Sequence, residues 1–212
     1  MGTNPKPVPR RRQAAALALW RWRAPLFAFE PDAEWGLDRS ALESLFRLAA
    51  AAPGERTDQA YRHAVTALRT APLFTSEVDP DTVQLVQLET VGNLLTFAEL
   101  LDNPGGDEAD RVHETSAGLA GHLDALVEDS LHAHPSEEAH RAYVTALTDP
   151  AHGGYFASRH AAVETACHRA LDSLPDSTGL TGSPAGRGLL ALCEDFGAEL
   201  VTTLHWLRTT GY

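Results

Sequence analysis

The sequence predicts an all-α protein without a β-sheet, and three observations support this prediction. Almost every segment between Pro, Gly and Asp breaks repeats its apolar residues at helical spacing, and none sustains the two-residue alternation of a strand. Ile is absent, so the core must be built from Leu, Val, Ala and aromatic residues, of which Leu and Ala are strong helix formers. The connections are short, which is typical of antiparallel helices. We therefore expect a multi-helix bundle or a compact orthogonal array of about seven to eight helices.

The predicted helices each begin or end at a residue that interrupts a helix. Asp38 suits the N-cap of the second helix, Pro25 ends the first and Pro72 ends the third. Two glycines, Gly153 and Gly154, precede the seventh helix. In chain order, the predicted helices cover residues 10–23, 38–53, 55–71, 80–102, 107–132, 136–149, 155–174 and 185–207.

The helices are not equivalent in their apolar surface. Residues 80–102 are apolar around most of the circumference, as expected for a central helix, and we predict that this fourth helix is the buried axis of the bundle. Its polar stripe includes Glu89 and Glu99. The stripe either faces water or forms the floor of a site opposite the sixth and seventh helices. The last helix has one continuous apolar stripe, from Leu189 to Leu207, and is fully amphipathic.

Charge is distributed unevenly along the chain. The net charge is −12, but residues 1–23 hold six basic residues and no acid, so the remainder carries 11 basic and 29 acidic residues. We predict a basic N-terminal arm or helix over residues 1–23 and a single acidic all-helical domain over residues 24–212. Such an arm could bind nucleic acid, an anionic surface or its own domain. The acidic domain makes nucleic acid an unlikely partner, and we expect a solvated arm whose apolar side docks on the domain.

Several other functional classes are disfavoured. The longest apolar run, Ala14 to Trp20, is far shorter than the roughly 20 residues of a membrane-spanning helix. The two cysteines, Cys167 and Cys193, have no short metal or redox spacing and are expected in the core. Without a disulfide framework or a secretory cleavage site, a cytoplasmic location is expected. The scarcity of Lys, Ile and Asn is typical of a GC-rich genome, as in actinobacteria.

Histidine is the enriched chemical residue, with eight of the ten histidines between residues 113 and 168. A carboxylate three residues before a histidine lies on the same helical face, which is the arrangement of many metal sites in bundles. This spacing occurs four times, and Glu137 with His140 is the pair best placed on an apolar face. The other pairs are Asp110 with His113, Asp129 with His132 and Asp149 with His152. His140 could instead be a core histidine bonded to a backbone carbonyl.

The seventh helix holds a second set of candidates at four-residue spacing: His160, Glu164 and His168. We expect His160 and Glu164 to point inward together and His168 to turn toward solvent. If these pairs converge, Glu89 or Glu99 could add the further carboxylate that an iron or manganese site requires. The predicted metal ligands are therefore His140, His160, Glu164, Glu137, Glu99 and Glu89, with non-haem iron or manganese as the cofactor. An ordinary surface contact between Glu164 and a histidine is the alternative.

Two functions remain open. The first is an enzyme of small-molecule metabolism, such as specialised metabolism, with a histidine and carboxylate site inside the bundle. The second is a non-catalytic helical protein that binds a small-molecule ligand or a protein partner, or that self-associates into a homo-oligomer. The expected class hosts many functions, so the choice between them depends on whether the candidate side chains converge.

Overall fold

A computed structural model describes residues 8–75, 79–133, 138 and 154–212 of the chain. Within these residues the secondary structure is helical, without a strand, so the predicted all-α class is confirmed. Two short 3-10 helices lie at Ala33–Trp35 and Pro72–Thr75. The α-helices are α1 (Val8–Arg21), α2 (Arg23–Ala28), α3 (Arg39–Ala50), α4 (Glu55–Arg69), α5 (Thr82–Asp102), α6 (Glu108–Ala133), α7 (Tyr155–Leu171) and α8 (Pro184–Thr210).

The helix ends follow the predicted signals closely. The carboxylate of Asp38 accepts a hydrogen bond from the Ser40 N–H and caps α3, as predicted. Pro25 does not stop the chain from being helical, because it lies in the first turn of α2, where a missing N–H costs no intrahelical hydrogen bond. The predicted helix at 136–149 falls outside the described residues. No helix in the described part of the chain has the length and apolarity needed to cross a bilayer.

Helix α1 lies at the centre of the fold. Every residue from Arg12 to Arg21 is buried, and the helix packs against α3, α5, α6, α7 and α8. The segment from Ala14 to Trp20 contains no polar residue, and its four alanines allow neighbouring helices to approach closely on all sides. The expectation of an arm docked by one apolar side therefore differs from the structure, because α1 is enclosed around its whole circumference.

The three consecutive arginines of α1 bind the protein itself. Arg10 pairs with the carboxylates of Asp172 and Asp176, at 3.1 and 3.0 Å. Arg11 donates to backbone carbonyls in the turn between α5 and α6. Arg12 pairs with Asp58 of α4 at 3.1 Å and donates to the carbonyl of Ala51 at the end of α3. The positive charges of these three arginines thus fix α1 to acidic and carbonyl groups of its neighbours.

Helix α5 is strongly buried, in agreement with its apolar sequence. The prediction that it is the axis of the bundle is wrong, because α1 takes the central position. Helix α5 packs against α1, α2, α4 and α6. The amide of Gln87, which is completely buried, donates to the carbonyls of Leu26 and Phe29 and so fixes α2 to α5. The predicted polar stripe reaches the surface at one end, where the Glu99 side chain is 48% exposed and pairs with Arg111 at 2.6 Å.

The beginning of α7 is fixed to α6 by a carboxylate. Asp124 accepts hydrogen bonds from the backbone N–H groups of Phe156 and Ala157, both at 2.8 Å. The N-cap residue of α7, Gly154, has no side chain to do this, and a Cβ at Gly154 would collide with the Asp124 carboxylate. A residue of another helix therefore satisfies two of the N–H groups that α7 leaves unpaired at its N-terminus.

We expect Asp124→Ala to lower the free energy of unfolding by about 1–2 kcal/mol, because α7 loses its cap and two backbone donors lose their acceptor. Urea unfolding followed by circular dichroism measures this change. Asp129→Ala is the matched control, since Asp129 is an exposed acid of the same helix. Equal stability of the two variants would contradict a capping role for Asp124.

Candidate functional site

A cluster of ionisable and thiol side chains lies between α1, α6, α7 and α8. Helix α7 supplies most of it, because His160, Glu164 and His168 are spaced by four and lie along one side of the helix. Helix α6 adds His113 on the surface that meets α7, and α1 adds Arg21. The cluster occupies the interior and one partly accessible edge of the bundle.

Three of these residues bring possible metal ligands together. The ligand atoms of His113, Glu164 and His168 all lie within 4.8 Å of one another, the single such group among the described residues. His113 Nδ1 is 2.6 Å from Glu164 Oε1, and the rings of His113 and His168 are 5.6 Å apart at their centroids. The side chains of His113 and Glu164 are 18% and 26% exposed, so the group is neither fully enclosed nor on the open surface.

Glu164 is held in its charged form. A hydrogen bond with His113 lowers the pKa of the Glu164 carboxyl well below its ordinary value, and this effect exceeds the opposing effect of partial burial. The positive charge of Arg21 lowers the pKa further. A carboxylate that faces two imidazoles is a group that can bind a cation.

A second pair lies deeper in the bundle. Arg21 Nη1 is 2.6 Å from His160 Nε2, and both side chains are buried. Because an arginine only donates hydrogen bonds, His160 Nε2 must accept, which makes this imidazole neutral with its proton on Nδ1. Burial lowers the pKa of His160 strongly, and the charge of Arg21 lowers it further. His160 is therefore a hydrogen-bond acceptor for a buried cation.

Arg21 is unusual because its guanidinium is completely buried and only partly satisfied. Among the described residues, no oxygen or nitrogen acceptor contacts Arg21 Nε or Nη2, and the Cys193 thiol is a further group that interacts with this guanidinium. The ring of Phe196 packs against His160, with centroids 6.1 Å apart, so the pair is enclosed by apolar surface on that side. Such a cation depends on the few polar groups near it, and its positive charge lowers the pKa of the Glu164 carboxyl.

The structure brings only part of the predicted ligand set together. Glu164 joins the three-residue group, whereas His160 turns to Arg21. On α5, Glu89 is half-buried and Glu99 pairs with Arg111 at the surface, and neither belongs to the group. Glu137 and His140 lie outside the described residues, so their role stays a prediction.

Two members of the group, His113 and His168, were not among the predicted ligands. The spacing of Asp110 and His113 did not indicate the position of His113, because the Asp110 side chain is exposed and contacts Arg11 instead of a shared ligand site. A better signal is that Ser116 and Ala120, which follow His113 at helical spacing, are small and completely buried, so this face of α6 packs against another helix. His168 was expected toward solvent, but it is half-buried beside His113.

The sulfur atoms of Cys167 and Cys193 lie in the same region. Both cysteines are buried, as expected, and neither is in a disulfide. The two Sγ atoms are 3.9 Å apart. The helices that hold them, α7 and α8, pack directly against each other.

Comparison of the chain with protein-family models, with curated proteins and with solved structures finds no match.

Proposed function

We propose that the protein binds a divalent transition-metal ion through His113, Glu164 and His168 and acts as a metal-dependent enzyme on a small molecule. The observation that supports this function is the grouping of their ligand atoms within 4.8 Å. Two imidazoles and one carboxylate are a ligand set that iron, manganese and zinc enzymes use.

The spacing of these atoms is close to what a metal needs. Bonds of about 2.0–2.2 Å from imidazole nitrogen and carboxylate oxygen require the ligand atoms to surround one point. The direct contact between His113 Nδ1 and Glu164 Oε1, at 2.6 Å, would be replaced by a bond from each atom to the ion. Glu164 and His168 are one turn apart on α7, so modest side-chain rotations could bring their ligand atoms to a common ion.

Two features favour catalysis over a purely structural ion. Three protein ligands leave coordination positions open for water or substrate, whereas structural zinc sites are closed by four. The group is also partly exposed, so its ligand atoms are not sealed from the solvent. A bound divalent ion would polarise the substrate or activate a water molecule. Because Glu164 would be the sole carboxylate of this group and Arg21 adds a positive charge nearby, an anionic substrate is favoured.

Metal content and affinity test this proposal. The protein should be purified without chelators from cells supplied with iron, manganese and zinc. Elemental mass spectrometry is then expected to find close to one ion per chain. His113→Ala and His168→Ala should each weaken binding by more than about tenfold, because removing a ligand costs at least as much as removing a group that only supports one. Added metal should raise the melting temperature of the wild type but not of these variants.

His122→Ala is the matched control, since His122 is an exposed histidine on the same helix as His113. It should keep the metal content and affinity of the wild type. Absence of stoichiometric metal, together with a melting temperature that added iron, manganese and zinc leave unchanged, would overturn the proposal. The non-catalytic ligand-binding or partner-binding function would then be favoured.

A further inference from the structure

The contact between Cys167 and Cys193 joins two helices through a pair of reduced thiols. The sulfur atoms are 3.9 Å apart although the residues are 26 positions apart in sequence. The two residues are 1% and 0% exposed, so the pair is shielded from bulky reagents. Cys193 Sγ also lies 3.5 Å from the carbonyl of Leu17 in α1, which places the pair at the centre of the bundle.

The two sulfurs are close enough for a disulfide to form after a small movement. A disulfide bond is about 2.05 Å long, so each sulfur has to move by roughly 1 Å to form one. Rotation about the side-chain bonds and a small adjustment of α7 against α8 can supply such a movement. In the described part of the chain no other group lies between the two sulfurs, which already contact each other.

We propose that Cys167 and Cys193 are a redox-active pair that a peroxide converts into an intramolecular disulfide. One thiolate attacks an oxygen of hydrogen peroxide, the O–O bond breaks, and sulfenic acid and water form after proton uptake. The second thiol attacks the sulfenic sulfur, which forms the S–S bond and releases a second water. Two thiols are thereby oxidised by two electrons and one peroxide is reduced to two waters. Hydrogen peroxide is little larger than water, so local opening of the bundle is enough to admit it.

The position of the pair links it to the candidate metal site. Cys167 directly precedes His168 and lies one turn after Val163 and Glu164 on α7. Drawing Cys167 toward α8 would shift the helix that presents Glu164 and His168 to His113. We therefore expect the oxidised protein to bind metal with a different affinity. This consequence rests on the proposed metal function, whereas the formation of the disulfide does not.

The experiment treats the reduced, folded full-length protein with a small excess of hydrogen peroxide. The expected product is about 2 Da lighter, migrates as a monomer without reductant and has no thiol that reacts with iodoacetamide after denaturation. Trypsin should release one cross-linked species, composed of residues 160–169 and 188–208. Cys167→Ser and Cys193→Ser should instead accumulate a sulfenic acid, which dimedone traps when the oxidised protein is denatured in its presence. Circular dichroism before this step should confirm that each variant is folded.

Three outcomes would overturn the proposal. The folded protein could keep both thiols under conditions that oxidise free glutathione. A disulfide could form only after unfolding in urea. The linkage could also join two chains, as a reducible dimer. If the intramolecular disulfide forms and metal is never bound, the redox pair stands and the proposed metal function fails.

Discussion

Removal of residues 1–23 is expected to leave a chain that no longer folds. The deletion eliminates α1, whose residues from Arg12 to Arg21 are buried against five other helices. The faces of those helices would then be exposed to water, at a cost of about 25 cal/mol for each Å² of apolar surface. Circular dichroism, thermal melting and gel filtration of the truncated protein should show lost helicity, no cooperative transition and aggregation.

Single substitutions in α1 provide a graded version of this test. Leu17→Ala is expected to lower the free energy of unfolding by about 2–5 kcal/mol, because Leu17 is completely buried and its truncation leaves a cavity in the core. Val8→Ala is the matched control, because Val8 is 46% exposed at the start of the same helix. A truncated chain that keeps a sharp melting transition would show that residues 24–212 fold as an independent domain.

His160→Ala is expected to destabilise the protein by about 2–4 kcal/mol. The substitution removes the acceptor of Arg21 Nη1 and leaves a completely buried guanidinium with a further unsatisfied donor. It also opens a cavity beside Phe196, where the imidazole ring now packs. Urea unfolding at neutral pH, where the buried imidazole is neutral, measures this decrease in the free energy of unfolding.

Two comparisons separate the loss of this acceptor from a general effect of removing a histidine. His160→Gln should be less damaging than His160→Ala, because the amide oxygen can accept a hydrogen bond from Arg21. His122→Ala, at an exposed position, should change stability by less than about 0.5 kcal/mol. Equal effects of His160→Ala and His122→Ala would show that Arg21 does not depend on the imidazole.

The helices could be predicted well because each depends on residues close in sequence. Asp38 caps α3 as expected, and α5 begins and ends within two residues of the predicted 80–102. The central position of α1 was harder to predict, because its arginines suggested a solvated segment. The stronger signal was the absence of any polar residue from Ala14 to Trp20, which leaves the helix no face for water.

The candidate site could be predicted only in part, because its residues come from different helices. Helical spacing identified His160 and Glu164 as neighbours on α7. It could not show that His160 would meet Arg21, which is 139 residues away in sequence, or that Glu164 would meet His113. Such pairings depend on how α1 and α6 pack against α7, and periodicity within one helix contains no information about that packing.

The central position of α1 also constrains the order in which the protein can fold during synthesis. Helix α1 leaves the ribosome long before α8, yet the two pack against each other, and Trp20 donates a hydrogen bond to Glu194 across 174 residues. Until residues 184–210 are synthesised, the part of the apolar surface of α1 that packs against α8 stays uncovered. During synthesis, this alanine-rich and leucine-rich helix is therefore exposed to aggregation. The core can be completed only after α8 has left the ribosome.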